Sequence, residues 1–193
     1  MGFDWRNFLE HFSQRLLSDE QIQAQQSQEV LDSRWLGFAG ATNDEIKKVE
    51  DRIGIELPPS YRLFLQTSNG WRNSGKFINR IWSTNEIAWF KERNQEWIDA
   101  YNDPYENLPT ISDKEYFKYG HEQYDYIFRV EYLQTALEIS DIGDSEIYLL
   151  NPKIVTKDGE WEAWFFANWL PGAVRYRSFQ DLMEAEYQKF LEY

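Results

Sequence analysis

Acid–base chemistry in a cleft needs two titratable groups in different surroundings. The chain of 193 residues supplies carboxylates freely, with 33 Asp and Glu against 20 Lys and Arg, but only two histidines and no cysteine. Glu160 and Glu162 fall on one face of an extended run, and Asp141 lies near Asp144. Catalysis would require one such pair to sit in a cleft with divergent environments, which spacing alone does not supply, and in a chain this acidic pairs arise by composition. Asp144 beside Gly143 and Asp158 beside Gly159 read instead as turn formers. His11 and His121 are each isolated from a second candidate at metal-ligand spacing. Without cysteine there are no disulfides, no thiol nucleophile and no Cys-based zinc site. Nucleophile elbow, Walker loop, dinucleotide fingerprint and HExxH are all missing. The expectation is a non-enzymatic chain with no catalytic residue, metal or cofactor.

Recognition chemistry is better represented. From Asp99 to Tyr126 the sequence interleaves tyrosines with carboxylates, and the residues expected to contact a partner are Asp99, Tyr101, Asp103, Tyr105, Glu106, Tyr116, Tyr119, Glu122, Tyr124 and Asp125. Tyrosine gives contact area at low entropic cost, and carboxylates select Lys and Arg on the other side. The net charge is −13, and Asp99 to Glu146 alone contribute twelve acids against three bases. That field disfavours direct nucleic-acid binding, which needs a basic surface, and favours a basic protein. Solvation of an acidic protein is the plainer reading of the same charge. Five tryptophans, Trp71, Trp82, Trp161, Trp164 and Trp169, raise the possibility of a sugar-stacking platform, but Trp161 and Trp164 are an odd number apart and face opposite sides of a strand.

The elements that position these residues can be read in order. Trp5, Phe8, Leu9, Phe12 and Leu16 give an amphipathic helix over 4–17, followed by a Gln-rich stretch that is either a solvated helix begun at Ser18 or a linker. Thr42 and Glu45 form a capping box that opens a helix at Asn43, with Ile46, Val49 and Ile53 buried and Gly54 its stop. Leu57 to Trp71 then encodes a second helix: Pro58 and Pro59 at its entry, Tyr61, Phe64 and Leu65 on one face, Gly70 capping its end and Trp71 as an apolar anchor. Phe77 to Trp82 predicts a strand, and Ser83 to Glu86 the cap of a helix that carries Ile87, Phe90, Trp97, Ile98 and Tyr101 and breaks at Asn102-Asp103-Pro104. A long loop runs on to Tyr126. Strands are expected at Tyr126–Leu133 and Ala136–Ser140. A hairpin over 139–150 turns at Gly143-Asp144-Ser145 and ends at Asn151-Pro152, and strands at 160–169 and 173–177 follow the Asp158-Gly159 turn. Ser178 caps a closing helix with Phe179, Leu182, Met183, Tyr187, Phe190 and Leu191 on one face. Helices, then consecutive strands, then a helix predict an α+β fold with a largely antiparallel sheet. There is neither an apolar run long enough to span a membrane nor a signal segment, so the reading is a cytoplasmic protein.

The stretch WLGFAGATNDEIKKVEDRIGIELPPSYRLFLQTSNGW resembles the opening of the SUKH superfamily, the Smi/Knr cell-wall-assembly regulator type that also occurs as bacterial toxin-immunity proteins. The likeness rests on Trp35, Gly37, the helix from Ala41-Thr42 to Glu50, Leu57-Pro58, Tyr61, Phe64-Leu65 and Asn69-Gly70, and continues in GDSEIYLLNP, DGEWE and SFQDLM. It implies residues 1–33 as a helical extension and 34–193 as the domain, with a single mixed sheet of about six strands flanked by helices. It also implies no enzymatic activity and a protein partner, often a nuclease toxin encoded beside the immunity gene. The tyrosine-rich insert matches no motif of that family. A regulatory scaffold of the cell-wall type and a carbohydrate-binding module are the alternative functions.

Overall fold

The computed structural model describes residues 2–75, 78–101 and 111–191. Asp4 accepts a hydrogen bond from the Asn7 amide and opens α1 (Trp5–Leu16), which turns Trp5, Leu9, Phe12 and Leu16 inward. The Gln-rich stretch is neither one helix nor a linker. It forms two short helices, α2 (Glu20–Ala24) and α3 (Gln28–Ser33), because Asp19 and Ser27 each cap a new start and the left-handed Arg34 ends the second. Ile22 and Val30 are their buried anchors.

α4 (Asn43–Ile53) has the expected capping box: Thr42 Oγ1 accepts from the Glu45 amide at 3.2 Å and Glu45 Oε2 from the Thr42 amide at 2.8 Å. Such a cap stabilises a helix by about 1 kcal/mol. α5 (Pro59–Thr67) has Pro59 at its first position and no cap from Pro58. Its anionic partner comes from far away, since Glu160 accepts from both the amide (2.8 Å) and the hydroxyl (2.6 Å) of Ser60. The buried Glu50 joins α4 to α5 by accepting from the Leu57 amide (3.0 Å) and Arg62 Nη1 (2.7 Å). Gly70 is not the cap of α5, a role that falls to Ser68; its φ of 99° turns the chain into the following strand, against the Ile81 carbonyl.

β1 (Trp71–Arg72) and β2 (Arg80–Ile81) pair as a two-stranded antiparallel ribbon. The expected start of β2 at Phe77 lies outside the described residues. The helix expected after Ser83 is broken into three pieces: β3 (Ala88–Trp89), α6 (Phe90–Arg93) and α7 (Gln95–Tyr101). Ser83 and Glu86 do bond to each other, but Ala88 and Trp89 are drawn into the sheet, and Asn94 leaves helical geometry to bond Glu138 at 2.6 Å. The long loop also contains structure, namely α8 (Asp113–Tyr116), capped by Ser112, and a 3-10 turn at Gly120–Glu122. The strand expected at 126–133 is absent; Val130–Thr135 is a 3-10 helix instead.

β4 (Leu137–Glu138), β5 (Glu146–Val155), β6 (Trp161–Ala167) and β7 (Ala173–Tyr176) complete a sheet of order β3-β4-β5-β6-β7, in which every neighbouring pair is antiparallel. The fold is α+β, with a two-stranded and a five-stranded sheet joined by an isolated bridge between Ile81 and Ser140. β5 does not end at Asn151-Pro152. The register shifts there, between Asn151 and Val155, which accommodates a proline lacking an amide hydrogen. α9 (Phe179–Leu191) closes the chain, with the Ser178 hydroxyl accepting from the Asp181 amide at 3.0 Å.

The five-stranded sheet is covered on both faces, and its alternation sorts the two cores. Tyr148, Leu150, Ala163 and Phe165 face α1, α4, α5 and α9; Ile147, Leu149, Trp164 and Phe166 face Phe90, Ile98, Phe128 and Leu133. Trp5, Leu9, Phe12, Ile22 and Val30 belong to the first of these cores, so the N-terminal helices are an integral wall of it.

Candidate protein-recognition site

The tyrosine-rich segment covers the second face of the sheet, and its tyrosines divide accordingly. Tyr116 is fully buried, which removes it from any contact surface. Its hydroxyl donates to Glu162 Oε2 at 2.7 Å, and the half-buried Tyr119 donates to Glu162 Oε1 at 2.8 Å. Trp164 Nε1 (2.7 Å) and Asn151 Nδ2 (3.1 Å) saturate the same carboxylate, and the fully buried Arg175 lies 3.6 Å from it. Burial and the Glu162 charge both push the Tyr116 and Tyr119 hydroxyls well above the ordinary tyrosine range, so they remain donors. Arg175 adds hydrogen bonds to the carbonyls of Tyr116 and Lys118, and its guanidinium lies 4.3 Å from the Tyr116 ring centroid. This group is a buried anchor, and neither Glu162 nor Glu160, which is bonded to Ser60, is free for acid–base work.

The anchor fixes what stands outside it. Gln123 grips the outer strand β7 by accepting from the Arg175 amide (2.7 Å) and donating to its carbonyl (3.0 Å), while the Asp125 carbonyl accepts from the Ala173 amide at 2.9 Å. The sheet edge is thereby sealed. A Cβ on Gly172 would stand 2.2 Å from the Asp125 carbonyl oxygen and 2.7 Å from Phe128 Cβ, so this approach requires glycine. Beyond it Tyr124 and Tyr126 stack, with centroids 5.3 Å apart and rings 22° from parallel, and both stay more than half exposed. Glu122 is exposed beside them and Asp125 half-buried. Asp99 is exposed on α7, and Tyr101 is half-buried with its hydroxyl donating to the Leu170 carbonyl at 3.1 Å. Asp103, Tyr105 and Glu106 lie outside the described residues. Of the expected contacts, Tyr124 is exposed in a stack with Tyr126, and Glu122 and Asp125 are its neighbours in sequence.

A second feature went unread in the sequence. Between the first face of the sheet, α1 and α9 lies a cavity of about 560 Å³ lined by Glu146, Tyr148, Phe165, Trp169, Glu186 and Lys189, among others. Lys189 Nζ is 2.6 Å from Glu186 Oε1. Burial first, then the charges of Glu186 and Asp144, raise Glu146 to a pKa of about 7 against the opposing pull of Lys189. The signal was present as an acid at an inward position: Glu186 follows Leu182 and Met183 at helical spacing. A smaller cleft of about 460 Å³ lies beside Glu138, but that carboxylate is already occupied by Trp82, Arg93 and Asn94.

Among known protein families, the SMI1/KNR4 family (SUKH-1) matches residues 40–185. The chain belongs to the SMI1/KNR4 family. Within this SMI1/KNR4 domain lie α4, α5, the whole of both sheets, the tyrosine-bearing surface and Glu146, whereas α1 to α3, Glu186 and Lys189 lie outside the matched residues. No curated protein matches the chain. Among the described residues, no helix is long and apolar enough to cross a membrane, and no group of three His, Cys, Asp or Glu is placed to hold a metal ion. Trp71, Trp161 and Trp164 are buried, so the five tryptophans do not form a sugar platform.

Proposed function

We propose that this SMI1/KNR4 domain is a non-enzymatic protein-binding module, an immunity protein that neutralises a cognate basic toxin in the cytoplasm by covering its working surface. The observation that carries this reading is the exposed Tyr124–Tyr126 stack, flanked in sequence by Glu122 and Asp125 and tied to the sheet edge by Gln123. Paired aromatic rings supply contact area that is already ordered, and the neighbouring carboxylates favour a cationic partner and speed its approach. Family membership supports the same reading, as does the chain's excess of negative charge.

Co-expression with each product of the adjacent open reading frames tests it. The expected result is one neighbour that is toxic alone, is rendered harmless by this chain and co-purifies with it. If no neighbour is toxic alone or bound by the chain, the immunity reading fails, and capture of host signalling or wall-synthesis proteins would support the regulatory alternative.

A further inference from the structure

Five glutamates are buried among the described residues: Glu50, Glu138, Glu146, Glu162 and Glu186. Four have their charge matched by hydrogen bonds or an ion pair, to Leu57 and Arg62, to Arg93 and Asn94, to Tyr116 and Trp164, and to Lys189 respectively. Glu146 is the exception. It is only 8% exposed, lines the cavity between β5 and α9, and its carboxylate makes no hydrogen bond or ion pair among the described residues. Its oxygens are open to the cavity, and a carboxylate there without a partner is held partly neutral until a cation reaches it.

Of the other charges around Glu146, Asp144 is exposed and adds negative charge beside it, and the rest are committed. Glu186 holds Lys189 on α9, and Tyr148, 3.8 Å from the Cβ position of Gly75, accepts a hydrogen bond from Ser74 at 2.8 Å. Arg15 on α1 donates to the Phe190 carbonyl and Ser18, and Asp19 caps α2. Tyr176 on β7 stays protonated through burial and the nearness of Glu186. Phe165 is buried with Lys189 Nζ 4.7 Å from its ring centroid, and Trp169, its ring 6.2 Å from that of Phe165, is more than half exposed. A carboxylate and an exposed indole lining one cavity suit a long basic side chain, which lays its stem on apolar surface and puts its charge at the tip.

We propose that this cavity receives an arginine or lysine side chain of the protein partner, its stem against the exposed Trp169 and its cationic head on Glu146. The proposal rests on the protein-binding reading above and gives that reading a defined pocket, separate from the tyrosine stack. At about 560 Å³ the space falls in the range of roughly 300–1,000 Å³ typical of small-molecule sites. Bringing a cation to Glu146 expels its proton, so binding weakens as that group protonates near pH 7. Between pH 8 and pH 6 the ionised fraction falls about tenfold, and affinity falls with it.

The test needs no knowledge of the partner. The intact protein is titrated with N-acetyl-L-arginine amide, with its neutral isostere N-acetyl-L-citrulline amide and with N-acetyl-L-leucine amide, followed by NMR at pH 8 and pH 6. Arginine amide is expected to shift the resonances of Trp169 and Glu146, with binding about tenfold weaker at pH 6 and at least tenfold weaker in Glu146→Gln and for the citrulline analogue. Lack of arginine binding, or equal binding of the three compounds, overturns the pocket while leaving the toxin test untouched. Glu146→Gln keeps the side-chain shape, and an unchanged NMR fingerprint elsewhere confirms that its fold is intact. Equal arginine affinity in that variant overturns the assignment to Glu146.

Discussion

The Tyr116 hydroxyl donates to Glu162 Oε2 at 2.7 Å, joining α8 to β6 across 46 positions of sequence. Through this contact and its neighbours, a single buried carboxylate decides where the exposed tyrosines stand. Glu162→Gln keeps the volume but removes the charge that faces Arg175 and four donors. Breaking a buried pair in this way costs about 3–5 kcal/mol. Urea unfolding should show a correspondingly lower midpoint, and a loss under about 1 kcal/mol would mean that Arg175 is stabilised chiefly by the carbonyls of Tyr116 and Lys118.

Gly172→Ala places a methyl group against the Asp125 carbonyl and Phe128. The segment must move away from β7, at a cost of about 1–3 kcal/mol. Hydrogen exchange is the appropriate measurement, with the Ala173 amide losing protection while amides in α4 keep theirs.

Tyr124→Ala and Tyr126→Ala touch a stack that stands in solvent. Each should change stability by no more than about 0.5 kcal/mol. Together they should weaken binding of a neighbour-encoded toxin at least tenfold, or about 1.4 kcal/mol, as measured by calorimetry. Unchanged affinity would move the interface elsewhere on the domain.

Glu146 gives stability a pH dependence of definite sign. Its native pKa of about 7 lies above the unfolded value of about 4.3, so between these limits the native state holds a proton that the unfolded chain has released. That contribution is fully present at low pH and is lost as pH rises through 7. Glu146→Gln remains neutral throughout; allowing for solvent screening, it should be more stable than the parent by about 1–2 kcal/mol at pH 8 and equal to it near pH 4. Paired unfolding curves at the two pH values check the sign.

What the letters disclosed was local. Thr42 and Glu45, three residues apart, and the stripes of Ile46 and Val49 or Tyr61 and Phe64 carry α4 and α5 without help from elsewhere. The turns at Asp144-Ser145 and Gly159 have positive φ and were readable because few residues tolerate it. The errors came where distant partners decide. Ala88-Trp89 has helical neighbours but pairs with Leu137 and Glu138, and Tyr116 sits in a polar, acidic stretch yet buries its ring because Glu162 offers its hydroxyl a partner. The cavity was invisible for the same reason, since Glu146 and Glu186 are 40 positions apart and meet only when α9 lies on the sheet.

The first helix packs where the last one does: Trp5 stacks on Phe179 at 5.6 Å, and Arg15 Nε bonds the Phe190 carbonyl across 175 positions. On a nascent chain Trp5 and Phe12 can meet Phe64 and Trp71 once α5 and β1 have emerged, but their contacts with Phe179 and Phe190 wait until residues 179–191 leave the ribosome. Contacts so distant in sequence form slowly. A ribosome stalled before α9 would release a product in which the first core and the acidic cavity both lack a wall.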